Sequence, residues 1–165
     1  MNAIDLDYLN MRAPYSVWQV GEGAYGFKTN YGVLYRIIFT PDQTIWEDGA
    51  YEFGILNENK KSSPGDKLLR ETIFCIIEEF FAKNPDILLY QCETGDNKQA
   101  MRDRLFLRWF GEYEHSDMYY IKVAKIIAED ISNYAAMIVQ RNNPNIDNII
   151  SDFDNFVGFF NEKPS

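Results

Sequence analysis

The chain has 165 residues, 46% of them hydrophobic, with 3 Trp, 11 Tyr and 12 Phe, which excludes a disordered chain and allows a full core. Its 25 acidic and 16 basic residues give a formal charge of −9, so phosphate backbones repel it and nucleic-acid binding is not expected. No apolar run approaches the roughly eighteen residues of a membrane span, and the first twenty carry Asp5 and Asp7 without a signal-peptide core. Cys75 and Cys92 read as free thiols of a reducing cytoplasm.

Taken in order, residues 1–20 show no clean period and are expected to be irregular. Residues 24–29 read as a strand, Asn30-Tyr31-Gly32 as a turn and 33–40 as the returning strand. Val33, Tyr35, Ile37 and Phe39 alternate there with Leu34, Arg36 and Ile38, one face buried and one partly so. After Pro41-Asp42-Gln43, residues 45–47 and 51–56 form a third strand interrupted near Asp48-Gly49 by a bulge or a second small turn. The polar stretch 57–65 carries Lys60-Lys61-Ser62-Ser63 and ends in a helix start. Ser63 is the expected N-cap, Pro64 the first helical residue, and Asp66 follows three residues after the cap. Leu68, Leu69, Ile73, Ile76, Ile77, Phe80 and Phe81 then make one broad apolar stripe, and Asn84-Pro85 stops the helix.

Residues 87–92 are apolar without alternation, the pattern of a strand covered on both faces. Asp96 with Gln99 makes a capping box, and the helix it opens runs to about Phe110, with Gly111 as its stop. Met101, Leu105 and Trp109 form a row on it, so Trp109 is expected to be largely buried, with Phe106 and Phe110 broadening the same stripe. Residues 112–118 form a loop with the single histidine, His115. Residues 119–128 read as a strand, with a helix as the alternative, and 133–140 as its hairpin partner. A final helix after Asn142-Asn143-Pro144 keeps Ile146, Ile149, Ile150, Phe153, Phe156, Val157 and Phe160 on one face. With neither repeat nor linker, 1–165 is expected to be a single α+β domain of order β-β-β-α-β-α-β-β-α. Its sheet is mixed, mostly antiparallel, of about six strands, with helices packed on it. The unit 51–56, helix, 87–92 is long enough for a right-handed parallel crossover.

No complete catalytic constellation is visible. Cys92, at a strand end before a helix N-terminus, could pair with His115 as nucleophile and base, although an incidental thiol is the simpler reading. Cys75, beside the apolar stripe, reads as packing. The strongest anion-binding pattern is Lys60, Lys61, Ser62 and Ser63 at a helix N-terminus, with Asp96 at the second helix start facing the same cleft. Arg104 and Arg108, one turn apart, could bind a carboxylate or phosphate, with pairing to neighbouring acids as the default. One histidine and scattered acids give no metal-ligand spacing.

Two resemblances accompany these readings. Through Tyr51-Glu52-Phe53-Gly54, Glu71-Thr72-Ile73, Leu88-Leu89-Tyr90-Gln91-Cys92 and Arg104-Leu105-Phe106-Leu107-Arg108-Trp109-Phe110, the chain resembles an uncharacterised bacterial domain family of unknown function, frequent in Bacteroidetes. Its order of elements over 24–140, with Asn97, Ala100, Leu105, Phe106 and Gly111, resembles the Gcn5-related N-acetyltransferase fold. That second resemblance implies that the loop entering the first long helix, residues 61–66, cradles the pyrophosphate of acetyl-CoA. It also places the family's tyrosine acid near Phe106, which has no hydroxyl. The leading expectation is a cytoplasmic binding or interaction domain without catalysis or cofactor, its partner a protein or small molecule rather than nucleic acid or membrane. The alternative is a divergent acyl-CoA-dependent N-acyltransferase, for which acetyl-CoA is the cofactor.

Overall fold

A computed structural model describes residues 1–61, 65–93, 107–113, 115–128 and 131–161. The elements are α1 (Leu6–Arg12), β1 (Val17–Gly21), β2 (Ala24–Lys28), β3 (Leu34–Pro41), β4 (Ala50–Asn57), α2 (Lys67–Lys83) and β5 (Ile87–Glu93), then β6 (Tyr119–Ala128), β7 (Ile131–Gln140) and α3 (Ile146–Asn161). Residues 107–112 are also helical, and a 3-10 turn spans Ser116–Met118. The fold is α+β, with a seven-stranded mixed sheet in the order β1-β2-β3-β4-β5-β7-β6. Its β4/β5 pair is parallel, as the crossover reading requires, and holds three residue pairs from Ala50↔Ile87 to Glu52↔Leu89. The chain divides into two compact units, Met1–Thr40 with Phe53–Pro85, and Pro41–Glu52 with Asp86–Ser165.

In the first unit, β1, β2 and β3 form an antiparallel meander. Between β1 and β2, Gly23 sits at φ +65°, and a Cβ there would lie 2.7 Å from the Phe39 carbonyl oxygen, so the turn admits only glycine. Tyr25, Phe27, Ile37, Phe39 and Phe53 are buried side chains of these strands. Phe39 stacks on Phe80 of α2, ring centroids 4.7 Å apart and nearly parallel. A pair of this kind adds about 0.5–1.5 kcal/mol to the burial itself.

Burial on helix α2 differs from the expected stripe, since Leu68 is exposed and Leu69 half-buried while other faces are covered. Thr72, Phe74, Cys75 and Glu79 are inside along with Ile73, Ile76, Ile77, Phe80 and Phe81. The segment expected to be irregular covers the side of α2 that carries Thr72 and Glu79. Residues 2–15 run antiparallel along α2 and are fastened at three levels. At the helix C-cap, the Asn2 amide donates to Asn84 Oδ1 (2.7 Å), and Asn84 Nδ2 donates to the Asn2 carbonyl. Arg12 Nη1 meets Glu78 at 2.8 Å and Nη2 meets Glu79 at 3.6 Å. The Tyr15 amide donates to Thr72 Oγ1, and the Tyr15 hydroxyl donates to Asp66 Oδ2 at 2.7 Å. Asp5 caps α1 through the Tyr8 amide, and Leu9 is completely buried. A hydrophobic period is absent from 1–20 because most of these anchors are polar.

The helix start also differs from expectation. Asp66, not Ser63, is the N-cap of α2, its carboxylate accepting the Leu68 amide. Because that carboxylate also accepts the Tyr15 hydroxyl, the cap is fixed by a residue 51 positions away. Ser62, Ser63 and Pro64 lie outside the described residues.

In the second unit, β5 lies between the start of β4 and the antiparallel β7, and the ten-residue β6 pairs along the whole of β7. The strand reading of 119–128 therefore holds over its helical alternative. Residues 45–47, expected in a strand, lie in the β3–β4 connection and pack Ile45 and Trp46 onto the α3 core. The helical residues 107–112 run past Phe110 through Gly111 to Glu112. Leu107 and Phe110 are its buried side chains and Trp109 is only half-buried, because the Phe110 ring is the one that meets Tyr119, at 5.6 Å.

Two expectations follow for the α2 clamp. Asp66→Ala removes both the cap and the Tyr15 bond, and should lower unfolding free energy in urea by about 1–2 kcal/mol, while Asp66→Asn keeps most of it. Equal stability of Ala, Asn and wild-type proteins would contradict the cap. Burial raises the Glu79 carboxyl above its ordinary 4.5, and the Arg12 charge only partly offsets this. The folded state therefore holds this proton more tightly than the unfolded chain, so ionised Glu79 costs stability above the folded value, and the cost vanishes as pH falls below 4.5. Glu79→Gln should melt higher than wild type at pH 7, with the gap closing by pH 4. A lower melting temperature at pH 7 would refute the sign.

Candidate functional site

The second unit contains a cavity of about 280 Å³ beneath the C-terminal half of α3. Its origin is a matter of strand register. Gln91 of β5, Ala135 of β7 and Ala124 of β6 pair directly with one another and so form one row across the sheet. Alternation points this row to the same face as Leu89, Met137 and Val139, the face on which α3 packs. Ala135, small beside Met137 and Val139, leaves the sheet low where α3 presents phenylalanines, and its neighbour Ala124 packs on the same core. Toward its start, α3 closes on the sheet, with Ile149 and Phe153 buried. Toward its end, Phe156 and Phe160 are only half-buried and line the cavity instead.

The remaining wall comes from the β3–β4 connection. Asp42 is buried, its carboxylate accepting the Thr44 amide (2.8 Å) and its own amide donating to the Ala50 carbonyl. That local turn places Thr44 and Ile45 on the cavity. Trp46 Nε1 then donates to Asp152 of α3 at 3.1 Å, fastening the connection to the helix. From the other side, Asn161 Nδ2 donates to the Lys125 carbonyl, and Lys122 pairs with Asp154. Leu89, Ile126, Tyr134 and Phe153 complete the lining. The lining is thus aliphatic and aromatic, with the Gln91 amide and the Thr44 hydroxyl at an exposed rim, and no charged side chain among the described residues. Such an apolar hollow with a few polar groups is the ordinary form of a small-molecule site.

Of the residues singled out from sequence, Lys60, Lys61, Cys92 and Arg108 are among those the structure describes. Lys60 and Lys61 are exposed in the first unit, Lys60 at φ +54°, and the Lys61 carbonyl accepts from Asn57 Nδ2. Cys92 and Arg108 belong to the second unit. Cys92 stands opposite Tyr134 in the β5/β7 ladder. Arg108 is exposed and pairs with Glu112 one turn on, at 3.3 Å, a contact worth little at such exposure. Ser62, Ser63, Asp96 and Arg104 lie outside the described residues. His115 is exposed, with its ring edge-on to Tyr113. Burial pushes the Cys75 thiol up, the opposite of what a reactive cysteine needs. Tyr51 and Asp86 are also pushed up, first by burial, and they sit at the starts of β4 and β5, away from the strand ends where ligands bind in such sheets. Among the described residues no cluster of His, Cys, Asp or Glu could hold a metal ion, and no helix is long and apolar enough to cross a membrane.

Sequence reasoning missed the cavity because nothing in Ala135 alone signals a site. The signal exists only once register places it on the face that α3 covers.

No curated protein matches the sequence. Residues 65–155 match a family of unknown function, DUF6169. The match takes in α2, β5, β6, β7 and most of α3, and with them the floor of the cavity. The chain belongs to this family of unknown function.

Proposed function

We propose that the chain is a binding module, bacterial and cytoplasmic, whose small-molecule ligand enters the cavity under α3. The observation that carries this reading is the cavity itself, open at Thr44 and Gln91 and lined elsewhere by aliphatic and aromatic side chains, Tyr134 among them. Packing alone would close it, since interiors are filled to crystal-like density and a hollow forfeits contacts. The free, buried Cys75 thiol accords with a reducing compartment.

The order β4-β5-β7-β6, with its parallel first pair, favours a second reading as an acyl-CoA-dependent N-acyltransferase-like protein. The start of α2 does not fit that cofactor. The Asp66 carboxylate already accepts the Leu68 amide and brings negative charge to the place a pyrophosphate would take. Calorimetric titration with acetyl-CoA separates the two: the first reading expects no heat of binding at 1 mM ligand, and a micromolar Kd would displace it.

The first reading has its own test. A fragment library of neutral, anionic and cationic compounds of about ten non-hydrogen atoms, followed by amide NMR, should give hits that shift Gln91, Ala135 and Phe156. Ala135→Phe raises the floor and should abolish those shifts without lowering the melting temperature. Phe160→Ala should retain them. Hits confined to other parts of the chain, or none in any charge class, would overturn the reading.

A further inference from the structure

The chemistry of the lining selects among ligands, and this step rests on the binding reading above. The volume of about 280 Å³ lies at the lower end of small-molecule pockets, so the occupant is small. Phe153, Phe156 and Phe160 come from successive turns of one helix face and line the cavity with Leu89 and the small Ala135 of the sheet. A slot with aromatic rings above and a low floor below suits a planar ring, which gains from aromatic contacts as well as from burial. The polar side chains of the lining are Gln91, Thr44 and Tyr134, all neutral and each able to donate and accept, and Gln91 and Thr44 are the exposed ones.

Charge is the decisive property. A carboxylate in this slot would lose water without meeting a cation, and the chain's net charge of −9 adds long-range repulsion. A cationic ligand would fare no better. The carboxylates of α3 nearest the site, Asp152 and Asp154, are held by Trp46 and Lys122, and the lining offers no other among the described residues. We propose that the cavity under α3 takes an uncharged planar molecule of about ten non-hydrogen atoms bearing one hydrogen-bonding group, an aromatic carboxamide being the simplest example. Its amide would pair with Gln91 at the rim while its ring lies under Phe156 and Phe160.

Benzamide, benzoate and benzamidine share one shape and carry no charge, a negative charge and a positive charge at pH 7, so they isolate the effect. Each is titrated into the full chain at fixed ionic strength and followed by amide shifts of Gln91, Ala135 and Phe156. Benzamide is expected to bind at least tenfold more tightly than either ion. Gln91→Glu, an exposed and structurally mild change, should reverse the order in favour of benzamidine, and its melting temperature reports that the fold is intact. Equal affinity for all three, or preference for either ion by the wild-type chain, overturns the selectivity while leaving the binding reading in place. Absence of binding by all three, together with an empty fragment screen, overturns both.

Discussion

Everything in the first unit depends on α2 being covered on both sides. Its sequence supplies far more apolar surface than one sheet face can hide. Ile73, Ile76, Ile77, Phe80 and Phe81 are buried, but so are Phe74 and Cys75 on other faces of the helix. Leaving the latter wet would forfeit on the order of 2 kcal/mol for each large side chain. The N-terminal strap lies along the Thr72 and Glu79 side of the helix with polar fasteners at three heights: Asn2 on Asn84, Arg12 on Glu78 and Glu79, and Tyr15 on Thr72 and Asp66. Burying the Glu79 carboxylate is the cost of the middle one, visible as an upward pKa shift. The Asn84 and Asp66 contacts also satisfy the two helix ends, so cover and cap are the same interaction.

The second unit solves a similar problem less completely. Helix α3 hides the face of β5, β7 and β6 with one apolar stripe, and the strand side chains beneath it shrink from Met137 to Ala135 along β7. A helix of regular geometry cannot follow such a step, so the mismatch appears as space under Phe156 and Phe160. The β3–β4 connection flanks the space without filling it, held by the Asp42 turn and the Trp46–Asp152 bond. A hollow bounded by secondary structure and fixed by hydrogen bonds is preformed, which reduces the ordering cost of any ligand that enters it.

Much of this was legible in the residues. The stripes of α2 and α3, the parallel crossover and the β6/β7 hairpin follow from local period, because each element's own burial dictates its sequence. What was not legible depends on distant pairs. Residues 2–15 are ordered by partners 51 to 82 positions away, and polar anchors leave no hydrophobic period to read. The choice of Asp66 over Ser63 as cap turns on Tyr15, and Trp109 is only half-buried while Phe110, expected on the same stripe, is the one buried against Tyr119. The cavity is the extreme case, since Ala135 reads as an ordinary strand residue until the ladder sets it on the face that α3 covers.

The central claim is that the space under α3 is a preformed apolar site, and methyl NMR under xenon pressure addresses it most directly. Xenon enters dry apolar hollows without requiring any particular hydrogen bond. The account predicts saturable shifts of the Ile45, Leu89, Ile126 and Ala135 methyl groups, with those of Ile73 and Ile76 in α2 unmoved. Uniform small shifts across all methyl groups, or saturation at α2 instead, would contradict it.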